Sequence, residues 1–364
     1  MRTVSTILLL GIAYLHAEPV IPHSSSELWI GTQSGHGLYH CSINPENGHL
    51  SPAKRLPADA ASVLARSRAN HITYTAGKNT EGQHLLTAVR ITDGTILNRK
   101  EFSGSCYLAI SPDKKLLFSA NIGGQIDTFR INADGSLGDQ TSLIELKAEP
   151  GRKKFAPHAV VPSPDGRFLI VPDIAGNRIC RLKIEPETGK LTELSPVHSE
   201  RFHGPRHFCF DSESKTAYLV NQMGEAVTVF RYTADDGTLT EIGHEPSLPE
   251  DQLTINNHIA EIKIHPSGKF LYVSNRGHDS IALFRRDQKT GMIRFIECVN
   301  SKGKGPISFT IDQKGRHLYC ANRKSSNITT FRISPETGKL TPASQTISVP
   351  EPVCLSIFNQ IMKP

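Results

Sequence analysis

Long apolar runs are nearly absent from this 364-residue chain. The run of note, Ile7–Leu15, falls short of the ~20 residues that a membrane-spanning helix needs, so no membrane span is expected. Cysteine is sparse: seven residues, at 41, 106, 180, 209, 298, 320 and 354, with no C-x-x-C pair and no metal-like spacing. Most fall within apolar runs, where a free cysteine serves as a small hydrophobe. In an oxidising compartment a pair of them could join. Charge is not clustered either. Lys and Arg number 41 against 35 Asp and Glu, a net of +6 spread along the chain. Without a basic cluster interleaved with aromatics, nucleic-acid binding is not expected. Low-complexity tracts and linkers are missing too, so everything after the N-terminal segment reads as one domain, residues 18–364.

The N-terminal segment reads differently. Arg2 precedes the apolar run, which ends in Leu15-His16-Ala17, a small-residue cleavage pattern. Residues 1–17 therefore read as a secretory signal peptide, with a buried first strand as the competing reading. The mature chain is expected to be exported, to a periplasm or the exterior, and to be cytoplasmic only if the segment is not cleaved.

What the chain does have is a repeat. Ser111–Asn121, Ser163–Asp173, Asp211–Asn221, His265–Asn275 and Asp312–Asn322 are versions of one segment, with starts 52, 48, 54 and 47 residues apart. A turn followed by short apolar strands, at a period of roughly 40–50 residues, is the signature of propeller blades. Turns such as Pro164-Asp165-Gly166 supply a fixed φ and then a positive one, which reverses a strand tightly. In the clearest unit the strands are placed at 158–163, 168–172, 178–184 and 190–194, rich in the residues that half-buried strands favour. Acidic, Gly-containing hairpins recur between the third and fourth strands, at 44–50, 132–137, 185–191, 233–239 and 334–340.

Two weaker copies lie upstream. One blade is placed at 61–67, 71–75, 84–91 and 96–102. Three strands of another are placed at 27–32, 37–43 and 50–55, with the missing innermost strand supplied by 352–358. The expected fold is all-β: a seven-bladed propeller of four-stranded blades, its ring closed by strands from both chain ends. Closure removes exposed sheet edges.

Function should lie where the repeats differ. Aligned on their first residue, the five strong units share a polar residue ten positions on: Asn121, Asp173, Asn221, Asn275 and Asn322. That residue is expected to satisfy backbone at a strand end. Five positions before the start, and eleven after, the units diverge. There they carry His158, Arg206, Gln222, Arg276 and Arg323, with His207, His258, Glu261 and His278 near in sequence. The start of a first strand and the end of an antiparallel second strand lie at one end of a blade, so these residues should converge on one rim of the channel. Arginine suits carboxylate or phosphate, because its planar fork binds bidentately. A neutral histidine beside such a site can remove a proton or activate water. The plainer alternative is a wet channel whose arginines pair with acids such as Asp173, Glu225 or Glu261. His265 is expected at a surface turn. His36, His40, His71 and His84 have no metal-ligand spacing, and neither a metal nor a cofactor is expected.

Pro157-His158, Gly204-Pro205-Arg206-His207, Ala260-Glu261-Ile262, the run 265–272 and the run 274–281 resemble the lactonase family of seven-bladed propellers, which includes propeller-type 6-phosphogluconolactonases and carboxy-muconate cyclases. The resemblance implies hydrolysis or closure of a lactone that carries an acidic group. It places His158, Arg206 and Arg276 on the active-site rim. The family pattern has an acid where this chain has Gln222, and glutamine cannot transfer protons at neutral pH. Two readings follow. One is an exported lactone hydrolase. In it His158 serves as base toward water or acid toward the leaving oxygen, and Arg206 and Arg276 are held against the anionic group or the developing oxyanion. Arg323 extends the anion site, Gln222 orients the lactone, and His207, His258 and Glu261 complete the substrate contacts. The other is a non-catalytic propeller that binds an anionic small molecule or a protein partner.

Overall fold

The computed structural model describes residues 26–33, 36–56, 61–67, 71–79, 81–148, 155–253 and 256–359. The proposed signal peptide at 1–17 lies outside them. The described residues form seven four-stranded antiparallel sheets, each ordered from the channel outward. Blade 1 takes Pro352–Asn359 as its innermost strand, followed by Ser26–Thr32, Leu38–Ile43 and Lys54–Leu56. Blade 2 is Val63–Ser67, Ile72–Lys78, His84–Arg90 and Ile96–Glu101, and blade 3 is Tyr107–Ile110, Leu116–Ala120, Gln125–Ile131 and Leu137–Glu145. Blade 4 is Val161–Pro162, Phe168–Asp173, Arg178–Ile184 and Leu191–Val197, and blade 5 is Pro205–Phe210, Thr216–Asn221, Ala226–Thr233 and Thr238–Pro246. Blade 6 is His258–Ile264, Phe270–Arg276, Ser280–Arg286 and Ile293–Asn300, and blade 7 is Pro306–Ile311, His317–Asn322, Asn327–Ile333 and Leu340–Ser348. The ring closes as expected, with Leu28 opposite Ile357 and Ile30 opposite Leu355.

The core is distributed rather than central. Each apolar cluster lies between two neighbouring blades: Leu28 and Ile30 of blade 1 pack with Tyr319 and Ala321 of blade 7, and Tyr272 and Leu283 of blade 6 pack with Phe309 and Phe331 of blade 7. Tyrosines on second strands tie the interfaces. Tyr74, Tyr218, Tyr272 and Tyr319 donate their hydroxyls to the carbonyls of Gly135, Gly291, Gly338 and Gly48, the hairpin glycines of the next blade, at 2.7–3.1 Å. Blade 4 has Ile170 at that position, and Arg181, directly opposite it, reaches Gly237 O instead. The first-to-second-strand turns need a positive φ at their fourth residue. Gly166, Gly268 and Gly315 supply it at 73°, 71° and 68°, while Lys114 and Ser214 are held there at 65° and 60°.

Three expectations are corrected. The first strand of blade 4 shrinks from 158–163 to Val161–Pro162, with Pro157 paired to Asp173 as an isolated bridge ahead of it, so the ladder is interrupted at 158–160. Residues 50–53 fall out of blade 1's outer strand. The Gln345 side chain pairs with both backbone groups of Leu50 at 2.7 Å and takes the place of a strand. His265 is no surface residue. It is buried, and its Nε2 lies 2.8 Å from Gly315 O of blade 7 while its Nδ1 meets Ser267 Oγ.

Candidate active site

The repeat's shared polar residues do bind strand ends. Asn221 Nδ2 donates to Thr228 Oγ1 and Asn275 Nδ2 to Ser247 O, while Asp173 Oδ1 accepts from Ala156 N. With those positions committed to the fold, the divergent ones remain for the channel mouth. A cavity of about 410 Å³ opens there, walled by His158, Arg206, Arg276 and Arg323 together with His207 and Glu261. His158 stands just ahead of blade 4's first strand, and Arg206 is the second residue of blade 5's. Arg276 ends the second strand of blade 6, and Arg323 follows that of blade 7.

Each arginine is held by a neutral acceptor. Arg206, nearly fully buried, gives Nη1–H bonds to Ala260 O and to His207 Nε2, the latter at 3.2 Å. Arg276 donates from Nε to His258 O at 3.2 Å and from Nη2 to Gln222 Oε1 at 2.9 Å. Arg323 Nη1 donates to Gln33 Oε1 at 2.9 Å. Among the described residues, none of the three forms an ion pair with a carboxylate. Burial pushes Arg206 down from the usual guanidinium range, and the Arg276 charge adds to this; burial and Arg323 bring Arg276 down to about 10.

Behind Arg206 runs a buried relay. Because Arg206 can only donate, His207 Nε2 must accept, which leaves Nδ1–H to donate to Glu261 Oε1 at 3.2 Å. Glu261 also takes Ser308 Oγ–H at 3.2 Å and its neighbour Ile262 N–H, and Lys263 Nζ stands 3.7 Å away. Burial raises the Glu261 carboxyl, but Lys263, His207 and Arg206 outweigh it and bring the group down to about 2. Burial, aided by Arg206, brings His207 to about 4, so its ring is neutral near pH 7. The His207 ring is thus spent on Arg206 and Glu261, and the Glu261 carboxylate on His207, Ser308, Ile262 and Lys263.

His158 is the ring left over. Its imidazole lies 5.5 Å from that of His207, centre to centre, and its backbone N–H is fixed to Pro172 O at 3.0 Å. Burial first, then Arg206 and His207, holds it well below the ordinary histidine value, so it is an unprotonated base at neutral pH. Among the described residues, His158 Nδ1 and Arg206 Nε are buried without a hydrogen-bond partner, so neither nitrogen is committed to a neighbour, although neither is exposed in the cavity. What lines the cavity is the His158 ring beside the Arg206 guanidinium.

The other sequence candidates fall elsewhere. Gln222 lies outside the cavity wall, its amide oxygen committed to Arg276. His258 contributes its carbonyl; its side chain is exposed. Asp173 pairs with Arg178 at 3.1 Å, away from the rim arginines. Glu225 accepts from the Asn257 backbone, and His278 sits between Ser280 and Gln252. Sequence reasoning missed Gln33, Lys263, Ser308 and Tyr107, all in the cavity wall. Lys263 was within reach, since it stands two residues beyond Glu261 on the same first strand. Gln33 was not, because blade 1 is the weakest repeat. No cluster of three or more His, Cys, Asp or Glu suited to a metal occurs among the described residues.

Comparison with known proteins agrees with this architecture. Residues 27–357 match the family model described as "Lactonase, 7-bladed beta-propeller". A 6-phosphogluconolactonase of Bacillus subtilis is 28% identical over 347 residues, covering 92% of this chain and 98% of that one. A Bacteroides fragilis crystal structure, named as a candidate 6-phosphogluconolactonase, superposes with a TM-score of 0.83 at 28% identity, covering 94% of this chain and 100% of the other. A periplasmic gluconolactonase of Pseudomonas aeruginosa superposes at 0.81 with 23% identity over 92% of this chain and 99% of the other, a likeness of fold.

Proposed function

The chain belongs to the lactonase family of seven-bladed β-propellers, and from that premise we propose that it hydrolyses an anionic, sugar-type lactone at the channel mouth. The observation that carries this reading is the neutral His158 ring and the buried Arg206 guanidinium in the wall of one cavity. One is a neutral base and the other a fixed cation. Attack on an ester carbonyl calls for that combination.

In the proposed reaction, water adds to the ring carbonyl while the His158 imidazole takes its proton. The carbonyl π electrons move onto oxygen, and the Arg206 guanidinium, held from behind by His207, stabilises the oxyanion. Collapse of the tetrahedral intermediate breaks the ring C–O bond, and the leaving oxygen takes the proton back from His158. The product is a hydroxy acid. Arg276 and Arg323 hold the substrate's anionic group, while Gln222 steadies Arg276. The likeness to the Bacillus subtilis 6-phosphogluconolactonase supports a phosphorylated sugar lactone as the first substrate to try. We also read the chain as exported after loss of residues 1–17; a mature N-terminus other than Glu18 on the exported protein would count against this.

The test is turnover of 6-phosphogluconolactone, gluconolactone and simple uncharged lactones by residues 18–364, with His158→Ala alongside. The expected result is hydrolysis that falls at least ~100-fold in the variant, the usual weight of a general base. Unchanged turnover in a folded His158→Ala removes the assignment. Absence of turnover in the native chain, with binding retained, favours the non-catalytic reading.

A further inference from the structure

We infer that Tyr107 is a specificity-determining residue: its phenol donates to a hydroxyl of the bound ligand, so that the mouth selects hydroxylated lactones over deoxygenated ones. The inference deepens the lactone reading and rests on it for the class of ligand. Tyr107 begins blade 3's first strand and lies in the cavity wall. In a ring of seven, blade 3 stands across the channel from blades 6 and 7, which carry Arg276 and Arg323. The Tyr107 ring meets that of His207 edge-on, with centres 5.2 Å apart, and is packed in place by it. Both His207 nitrogens are taken, by Arg206 and by Glu261, and the Tyr107 hydroxyl has no hydrogen-bond partner among the described residues. Tyr74, Tyr218, Tyr272 and Tyr319 differ in this respect, since each donates to a glycine carbonyl of the next blade. An enclosed tyrosine usually finds a partner for its O–H, so one left over in a cavity wall is available to a ligand. Burial, with the Glu261 charge adding to it, raises the phenol, which therefore stays protonated and acts as a donor at neutral pH. Ser62 and Ser105 line the same side but give their hydroxyl protons to the carbonyls of Ala76 and Tyr107. Gln33 gives its amide oxygen to Arg323 and keeps its Nε2 hydrogens. Neutral donors thus face a ligand whose charge is held across the channel. A site that offers a bond to a ligand hydroxyl also rejects the analogue without it, because the protein's donor is then left unpaired.

Tyr107→Phe removes the hydroxyl and keeps the ring against His207. Calorimetric titration of residues 18–364 reads the effect with three probes: 6-phosphogluconate, the same carbon chain without its hydroxyls (6-phosphohexanoate), and inorganic phosphate. The native chain should bind 6-phosphogluconate more tightly than 6-phosphohexanoate. In Tyr107→Phe the affinity for 6-phosphogluconate should fall about 3–10-fold, the effect of one lost neutral hydrogen bond, while the other two probes lose no more than ~2-fold. The Tm should stay within ~1 °C of the native value, because no bond within the protein is lost. A phenol that serves the fold instead would lower the Tm and weaken all three probes alike. The inference is overturned by that result, by unchanged 6-phosphogluconate affinity in Tyr107→Phe, or by a folded native chain that binds 6-phosphohexanoate as tightly as 6-phosphogluconate or binds none of the probes. Because binding is read directly, a chain that shows this selectivity but opens no lactone fails the hydrolase reading and leaves Tyr107 in its role.

Discussion

Removing the Asp173 carboxylate should cost both stability and turnover. Asp173 is fully buried; its Oδ1 accepts from Ala156 N at 2.7 Å and Gly176 N at 3.0 Å, and its Oδ2 accepts from Arg178 Nε at 3.1 Å. The Ala156 bond matters most for function, because Ala156 stands two residues before His158 on a segment that pairs with the second strand only through an isolated bridge. Asp173→Ala deletes two backbone bonds to a charged acceptor, each worth ~1.5–3 kcal/mol. It also strips a buried arginine of its carboxylate, a change that costs ~3–5 kcal/mol in buried pairs. These contributions overlap, so a net loss of ~5 kcal/mol is the working figure. At ~2 cal/mol/K per residue, a ring of this size has an unfolding entropy near ~0.7 kcal/mol/K, which converts the loss to a Tm drop of ~7 °C. On the proposed hydrolase reading, the loosened His158 should lower kcat by ~10–100-fold, the scale expected when a reacting group is displaced slightly. Asp173→Asn keeps one acceptor oxygen and should fall between. Scanning calorimetry and lactone kinetics on the three chains read this out. A Tm drop under ~2 °C in Asp173→Ala would refute the mooring argument.

Two further predictions concern protons and blade contacts. Because burial and the neighbouring Arg206 lower the His158 pKa, the base form persists as pH falls through 6.5, and kcat/KM should decline only at distinctly lower pH. The same depression means that the stability His158 contributes is present above the unfolded-state value and drains away as pH drops below it toward the folded one. Arg206→Gln should move the acid limb upward, and a limb that stays put would show that Arg206 does not act on His158. At the blade 6–blade 7 interface, Tyr272→Phe leaves Gly338 O without its 2.7 Å donor and should cost ~1 kcal/mol, or ~1.5 °C in Tm. The equivalent changes at Tyr74 and Tyr319 should add about as much, since these sites belong to separate interfaces, whereas Tyr218→Phe should cost more because its hydroxyl also accepts from Nε of buried Arg286.

The fold was legible because propeller stability is local and repeated. Each blade must make the same turn and bury the same face, so the positive-φ turn and the apolar second strand recur in every strong unit. The ends of strands were harder to read. The first strand of blade 4 is interrupted where no sequence signal marks it, and the break in blade 1's outer strand depends on Gln345, a residue 295 positions away from Leu50. At the site, the divergence rule found the rim residues His158, Arg206, Arg276 and Arg323 together, because positions that the fold does not use are free to differ. It could not tell a side chain from a backbone contribution at His258, nor foresee that Gln222 would spend its amide on Arg276. Nor could it separate cavity-facing groups from those behind them, since the His207–Glu261 pairing joins two blades.

Seven similar blades would give a symmetric mouth, and the asymmetry of this one bears on how a ligand must lie. Blades 4 to 7 supply His158, Arg206, Arg276 and Arg323, whereas among the described residues blades 1 to 3 contribute no charged side chain, lining the opposite side with Val353, Leu355, Val63, Leu64 and Leu108 beside the neutral polar Gln33, Ser62, Ser105 and Tyr107. An anion therefore meets cationic groups on one side only. The uncharged side opposite leaves the field of the arginines uncancelled. On the proposed reading, the ring carbonyl then lies toward blades 4 and 5, between His158 and Arg206. The anionic group lies toward blades 6 and 7, and the rest of the sugar lies against the uncharged side. A neutral lactone has no charge to fix that orientation, so it should be turned over with a higher KM and also a lower kcat. The loss in kcat is what distinguishes an anion used for alignment from one used only for capture.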